Sequence, residues 1–410
     1  MSKDHKIVGI DVGTNHVRTV VGIKKEDSMI PTIIGVGIKP SVGIRRGVIV
    51  DIEETVSAVT GAVEEAERVS GEPIDRAFVS IGGNTLGSQV QKGVVAISRT
   101  DGEITIQDVD RVIEAAQHFT LPGNRQVLRV IPRYFTVDDQ SGIKDPTGMT
   151  GIKLEVNAYV ITSATHAVKN LSRCINQTGI DIDDIIPGYL ASSEIVLSKR
   201  QKELGVAMID IGGGTVSLIV YEEGNILHSA VLPIGASHIT NDIAIGLRTS
   251  IDMAERLKLK FGTCVSNDVS RNEKIDLSKL SEMEDHAVSK YQIAQIIEAR
   301  MMEIFSMIYD ELQKVGRAGM LPAGAIITGG GAKLPGVVDL AKNTLSLPAQ
   351  VGFPLDIEGM TDTVDDPSFA CAIGLLAWGA KTDSNPYSLG NFNISDSLGN
   401  MKDWFKSFMG

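Results

Sequence analysis

The chain has 410 residues, 43% hydrophobic and 22% charged, with a formal net charge of −12. That length exceeds what a single hydrophobic core usually fills, so two or more domains are expected, and the acidic balance argues against a nucleic-acid surface, which needs clustered Lys and Arg. Three scattered cysteines, Cys174, Cys264 and Cys371, lack C-x-x-C spacing and the seven histidines form no H-E-x-x-H pattern, which excludes a disulfide framework and a zinc motif of either kind.

The opening MSKDHKIVGID holds no apolar signal segment, and no run of about 18 apolar residues occurs, so the sequence predicts a soluble chain in a reducing cytosol. Residues 6–9 run as an apolar strand into Ile10-Asp11-Val12-Gly13-Thr14-Asn15, with an apolar-rich segment after it at 16–23. β-Branched residues flanking glycines that accept positive φ predict strand, tight turn, strand. The local basic pairs, Lys24 with Lys25 and Arg45 with Arg46, read as solvated surface. A strand at 77–81 ends in Gly82 and Gly83, and residues 84–165 then alternate strand and helix signals. There Val109, Val112, Ile113 and Ala116 recur at a helical period, with Thr105 or Asp108 available as N-cap. Strand-like stretches at 127–137 and 154–162 flank a turn-rich one at 138–151, and the whole predicts an inserted α+β subdomain.

Mid-chain, residues 206–209 lead into Asp210-Ile211-Gly212-Gly213-Gly214-Thr215 and then 216–221, echoing the first turn. Two related halves facing each other are therefore expected. Helical patterns follow at 242–246 and 250–261, the second with Ala254, Leu257 and Phe261 on one face. A polar loop at 266–285 precedes a long helix at 288–315, whose stripe of Ile293, Ile296, Ile297, Ile304 and Ile308 reads as core packing. A third glycine turn, Thr328-Gly329-Gly330-Gly331-Ala332, follows an apolar strand. Beyond 380 the chain becomes a polar, Gly/Ser/Asn-rich linker, and its last residues turn abruptly aromatic.

A glycine-rich hairpin directs successive backbone N–H groups into one concavity, which suits a phosphate chain. Thr14 and Thr215 add hydroxyl donors. Asp11 and Asp210, each at a strand end, suit a hydrated Mg²⁺, which takes few carboxylates and keeps its waters. Two such turns, with a third after a strand, point to a nucleotide.

The motifs at 10–14, 210–215 and 328–331 resemble the phosphate-1, phosphate-2 and adenosine motifs of the actin, Hsp70 and sugar-kinase superfamily. Within it, ELGVAMIDIGGGT at 203–215, ITNDIA at 239–244, AERLK at 254–258 and FG at 261–262 resemble the FtsA family of bacterial cell-division proteins. DPTGMTGIKLEV at 145–156 is similar to that family's subdomain 1C, and the resemblance runs from residue 6 to about 380. It implies an α/β, actin-like (ribonuclease H-like) two-lobed fold. Subdomain 1A would take 1–83, 166–195 and 368–381, with 1C inserted at 84–165. Subdomain 2A would take 196–241 and 315–367, with 2B inserted at 242–314. A flexible linker at 382–396 and an amphipathic helix at 397–410 would follow.

The resemblance also implies roles. Gly13, Thr14 and Asn15 would face the β- and γ-phosphates from one half and Gly212, Gly213, Gly214 and Thr215 from the other. Gly329, Gly330 and Gly331 would admit the adenosine, and Glu255 and Lys258 would contact ribose and purine. On the residues alone, Glu255 and Lys258 read equally as a surface i,i+3 pair. SFACAIGL at 368–375 and residues 184–194, with Ala191, Ser192 and Ser193, resemble the two interdomain connectors. Where many superfamily ATPases carry a water-orienting Gln or Glu, this chain has Ile186 and Pro187. No catalytic residue is assigned, and ATP is expected to close the cleft and control assembly, with hydrolysis slow or incidental.

Leu398, Met401, Phe405 and Phe408 follow i, i+3, i+7, i+10 spacing with Trp404 alongside, giving a helix one bulky apolar face. On a polar linker this is the pattern of an interfacial anchor or of a tail docking on its own protein; the family's membrane-targeting helix implies the anchor. The family also implies binding of the FtsZ C-terminal peptide at subdomain 2B, where Arg300 in IIEARMMEI at 296–304 and Lys290 are the candidate contacts. Filament formation, other division proteins at 1C and a peripheral place on the cytoplasmic side of the septal membrane complete the expectation. The alternatives are a pilus-assembly adaptor similar to PilM and a sugar or acetate kinase, although no acid occupies the connector position that a kinase needs.

Overall fold

The computed structural model describes residues 5–25, 31–280 and 287–382. The predicted tail helix at 397–410, and all but the first residue of the predicted linker at 382–396, lie outside them. The first lobe opens with a meander of β1 (His5–Val12), β2 (His16–Lys24) and β3 (Thr32–Pro40). A two-residue hairpin follows, β4 (Ile44–Arg45) and β5 (Val48–Ile49), then α1 (Ile52–Ser70) and β6 (Arg76–Ile81). Helix α1 forms because Thr55, Ala58, Val59, Ala62, Val63 and Ala66 make one buried face. Asp51 caps its start by accepting from Glu54 N, and Gly71 ends it in the left-handed region.

The predicted insert is a four-stranded antiparallel sheet in the order β7-β10-β8-β9. It contains β7 (Leu86–Ala96), α2 (Ile106–Ala115), β8 (Arg125–Val137), β9 (Gln140–Ile143) and β10 (Lys153–Ala164). Asp108 accepts from Thr105 N and Oγ1 and so fixes the start of α2. Val109, Val112 and Ile113 then pack with Phe135, Leu154 and Val156 in a core separate from the other clusters.

The chain returns through α3 (Thr165–Gln177), β11 (Asp181–Pro187), α4 (Gly188–Val196) and α5 (Lys199–Leu204). A second meander follows: β12 (Val206–Ile211), β13 (Val216–Glu222) and β14 (Asn225–Leu232). Next come α6 (Ala236–Leu247), α7 (Ile251–Phe261), the short pair β15 (Lys274–Asp276) and β16 (Ala287–Ser289), and α8 (Lys290–Lys314). The chain ends in β17 (Ala325–Thr328), α9 (Val337–Leu345), β18 (Ala349–Val351), β19 (Glu358–Gly359), α10 (Thr361–Val364) and α11 (Ala370–Thr382).

The two large sheets share one topology. The first is ordered β11-β6-β1-β2-β3-β19 and the second β14-β13-β12-β17-β18. In each, an antiparallel hairpin carries the aspartate, and the strand before the turn also pairs in parallel with a later strand. The repeat expected from the echoed turns is therefore a repeat of sheet topology. Two details depart from the sequence reading. Helix α6 begins at Ala236, ahead of the predicted 242, because Ala236 N and Ser237 N donate to Gly212 O and Gly213 O. Strand β15 lies within the predicted polar loop, with Ile275 and Val288 buried.

Helices α4 and α11 join the lobes. One buried cluster runs from Ile7 and Phe78 in the first lobe through Leu190, Ile373 and Leu376 to Met208 and Ile326 in the second. A β-carbon at Gly374 would collide with the Ala191 carbonyl, so the two helices touch backbone to backbone. Glu194, 3% exposed, is bound by Lys202 at 2.8 Å and by Lys381 near the end of α11. Burial alone would push its carboxyl up, but the two ammonium groups hold it at about 2. The insert is tied to this joint as well. Arg129 pairs with Asp184, donates to Ile185 O at 2.9 Å and lies over Trp378. Tyr159 OH lies within hydrogen-bond distance of Ser88 Oγ, 2.6 Å, and Ser229 Oγ, 3.0 Å, and Ser229 donates to Tyr189 OH, so a hydroxyl cluster links β10, β7, β14 and α4.

Candidate functional site

The site lies where the two aspartate-bearing hairpins meet. In each hairpin the strands close on a Val pair or an Ile–Val pair, Val12 opposite Val17 and Ile211 opposite Val216, leaving Gly13–Asn15 and Gly212–Thr215 as the turns. The turns touch across the cleft. A β-carbon at Gly213 would lie 2.5 Å from the end of the Asn15 side chain, which would have to shift, and one at Gly214 would lie 2.7 Å from Thr14 Oγ1 and 2.9 Å from the Arg46 backbone, so the turns pack closely. Ser237 Oγ donates to Asn15 Oδ1 at 3.0 Å across the same gap.

Below the turns sit the two carboxylates. Ser80 Oγ donates to Asp11 Oδ1 at 2.8 Å, and Ser192 Oγ donates to Asp210 Oδ2 at 3.1 Å. Burial and the nearby negative charge of Asp11 push the Asp210 carboxyl up to about 6, and the Ser192 hydroxyl only partly offsets this. The Cys371 thiol, on α11, is held well above its usual range by burial and by both aspartates. Two carboxylates that repel each other below the meeting of the two glycine turns fit a hydrated divalent cation, whose charge would remove the repulsion.

Arg18, Ser80, Ser192 and Ser237 are site residues that the sequence reading missed. Arg18 stands directly opposite Asp11 in the β1–β2 register. Its guanidinium lies 5.5 Å from the Phe369 ring centroid, and its buried Nε has no hydrogen-bond partner among the described residues. The signal was present in the hairpin itself, because residues opposite one another on antiparallel strands share a face. Ser80, at the end of β6, and Ser192, on α4, give no such signal.

On the other side of Asp210 the third glycine turn leaves β17 and runs into a short 3₁₀ turn. Gly329, with φ of 80°, presses against Asp210, and Gly331 presses against Ile211. Glu255 and Lys258 pair at 2.6 Å on α7. Lys258 Nζ also donates to Thr240 Oγ1 at 2.9 Å and to Ala236 O at 3.3 Å, and the Thr240 hydroxyl donates to Glu255. The pair is thus bound to the beginning of α6, the helix whose first amides are tied to Gly212 and Gly213.

The two cations expected at subdomain 2B are both engaged within the chain. Arg300 makes a bidentate pair with Asp242, 2.6 and 2.9 Å, and meets Glu303. Lys290 pairs with Glu273 at 2.8 Å. All three cysteines are buried and free. No helix among the described residues is long and apolar enough to cross a membrane.

Arg46 is at the surface, as its reading as solvated surface expects, and it also neighbours the second glycine turn. Its Cα would lie 2.9 Å from a β-carbon at Gly214, which sets it on the rim of the cleft.

Comparison with known proteins agrees with this geometry. The family model "Cell division protein FtsA" matches residues 207–374, and "SHS2 domain inserted in FTSA" matches residues 83–162. Cell division protein FtsA of Pseudomonas aeruginosa is 37% identical over 383 residues, 93% of this chain and 91% of that protein. That of Bacillus subtilis is 39% identical over 381 residues, 93% of this chain and 85% of that protein. That of Escherichia coli is 31% identical over 407 residues, 98% and 96%. Among solved structures, a PilM–PilN type IV pilus biogenesis complex aligns with a TM-score of 0.65 at 15% identity, covering 91% of this chain and 98% of that chain. MreB5 of Spiroplasma citri bound to ADP aligns with a TM-score of 0.54 at 14% identity, covering 93% and 99%. At those identities the solved structures speak for the actin-like fold alone. Hairpins, insert and relatives together place the chain in the FtsA family of cell-division proteins.

Proposed function

We propose that this chain binds Mg²⁺–ATP between its lobes, polymerises on the inner face of the cytoplasmic membrane and tethers FtsZ filaments there. The observation that carries the reading is the meeting of two glycine hairpins over two mutually repelling carboxylates, Asp11 and Asp210. Backbone N–H groups of Gly13, Thr14 and Asn15, with those of Gly213, Gly214 and Thr215, bind the phosphates, while the Gly212 N–H donates to Thr215 O and shapes the turn. Asp11 and Asp210 would hold a magnesium ion through its waters, and the ion would neutralise phosphate charge. Ser80 and Ser192 orient those carboxylates. Gly329, Gly330 and Gly331 admit the adenosine, and Glu255 and Lys258 contact ribose and purine. Because Ile186 is buried and apolar where a water-orienting group would stand, the chain works as a nucleotide-dependent assembler with at most weak hydrolysis.

The segment at 397–410, with Leu398, Met401, Trp404, Phe405 and Phe408, attaches the chain to the membrane as a weak interfacial anchor. Polymerisation multiplies that weak contact through effective concentration. Subdomain 2B receives the FtsZ C-terminal peptide at Arg300 and Lys290, whose intramolecular pairs with Asp242 and Glu273 would be exchanged for the peptide's carboxylates. Subdomain 1C serves other division proteins. Co-sedimentation with anionic vesicles tests the reading. ATP-dependent pelleting that is lost on deleting 397–410 and that carries an FtsZ tail peptide is expected. Pelleting that ignores both ATP and the deletion would overturn it.

A further inference from the structure

The β4–β5 hairpin was set aside on sequence as a solvated basic pair, and its place in the fold gives it a use. Arg45 pairs with Val48, so Arg46 and Gly47 alone form the turn. Both have positive φ, 49° and 71°, as a type I′ hairpin requires. Asn-Gly is the favoured pair for such a turn. An arginine there carries a left-handed backbone against its ordinary preference, and such residues concentrate at ligand clamps.

The tip is fixed to both phosphate-facing turns. Gly47 N donates to Thr14 Oγ1 at 3.0 Å. A β-carbon at Gly47 would lie 2.5 Å from Gly83 N, so the tip rests on the turn that follows β6. Across the cleft, Arg46 Cα meets Gly214. The tip therefore borders Thr14, Gly83 and Gly214, whereas the Gly329–Gly331 turn borders Asp210 and Ile211, and Glu255 with Lys258 borders Thr240. The Arg46 side chain is exposed and makes no hydrogen bond or ion pair among the described residues. In a chain of net charge −12, a guanidinium with no ion pair among the described residues, held at the phosphate end of the cleft, is available for an anion.

We infer that Arg46 is a contact for the terminal phosphate of a nucleoside triphosphate, and that the β4–β5 hairpin is the element distinguishing a triphosphate from a diphosphate. The inference rests on the nucleotide reading above and adds the residue that selects between the two ligands. Guanidinium is suited to the task because its planar fork can meet two oxygens of a terminal phosphate.

The clean variant is Arg46→Asn, which keeps a residue favoured in the type I′ turn and removes only the guanidinium. Arg45→Gln removes an equal charge one residue away as a control, and thermal melting checks the fold. ATP and ADP affinities are read by calorimetry on the full chain with Mg²⁺. Arg46→Asn is expected to weaken ATP by about tenfold or more, the scale of one charge-assisted hydrogen bond, with ADP binding and Arg45→Gln left near wild type. An unchanged ATP-to-ADP ratio in Arg46→Asn overturns the inference while the nucleotide reading stands. Equal loss of both ligands, or an equal effect of Arg45→Gln, also overturns it. If the wild-type chain takes up neither nucleotide, the nucleotide reading fails and this inference falls with it.

Discussion

Ser237 Oγ donates to Asn15 Oδ1 at 3.0 Å, joining the first turn of α6 in one lobe to the β1–β2 turn of the other. It is the side-chain bond across the mouth of the cleft, and its solvent exposure limits it to the lower part of the usual net range, about 0.5–1.5 kcal/mol. Asn15→Ala or Ser237→Ala in the ligand-free chain should speed amide exchange at the start of α6 by several-fold. The double variant should exceed neither single one, because both remove the same bond. Additive effects would refute the pairing.

Asp210 predicts an unusual pH dependence for the ligand-free chain. Its carboxyl titrates at about 6 when folded, raised by burial and by Asp11. The folded state therefore favours the proton, and the stability tied to it is present at low pH and lost as pH rises from the ordinary carboxylate range through about 6. Near neutral pH the ionised pair costs on the order of 2 kcal/mol. Asp210→Asn should raise the melting temperature of the ligand-free chain near pH 7, flatten its change between pH 4 and 7, and abolish stabilisation by Mg²⁺–ATP. A variant less stable than wild type near pH 7 would count against the repulsion.

Glu194 behaves in the opposite sense. Lys202 and Lys381 overcome its burial and hold the carboxyl at about 2, so its stabilisation is present above the ordinary glutamate range and is lost as pH falls toward 2. Lys202→Met strips one partner from a buried charge and should destabilise by about 3–5 kcal/mol. Adding Glu194→Gln should restore much of that loss. Chemical denaturation reads both, and a double variant no better than the single one would mean that the charge is not the cause.

Tyr159 OH hydrogen-bonds with Ser88 and Ser229 from a buried position. Tyr159→Phe leaves those hydroxyls short of a donor and should cost about 1–3 kcal/mol. Hydrogen exchange should rise along β7 and β14 together, since the cluster is where the insert meets the second lobe. Exchange rising in β10 alone would show that the cluster is local.

The repeated sheets were legible because each begins with β-branched residues leading to Asp and Gly, a local pattern that needs no partner to be read. The insert was legible for the same reason, with α2 marked by Thr105 and Asp108 and by one apolar face. The beginning of α6 was not, because Ala236 and Ser237 are held by carbonyls of Gly212 and Gly213, which only the folded lobe brings near. Arg46 is exposed as the sequence suggests, but its closeness to Gly214 was not legible, because Gly214 belongs to the other lobe. Arg18 was recoverable in principle from the hairpin register, whereas Ser80 and Ser192 reach the aspartates only through tertiary packing.

The absence of a side chain at Gly374 has a mechanical result. Interlocked residues on facing helices must unmesh before one helix can roll on its neighbour, and close-packed interiors resist that. Where α11 rides on the carbonyl of Ala191, there are no knobs to lift out of holes. At that one contact α11 can slide on α4 without unmeshing side chains, while Leu190, Ile373 and Leu376 keep the rest of the joint packed.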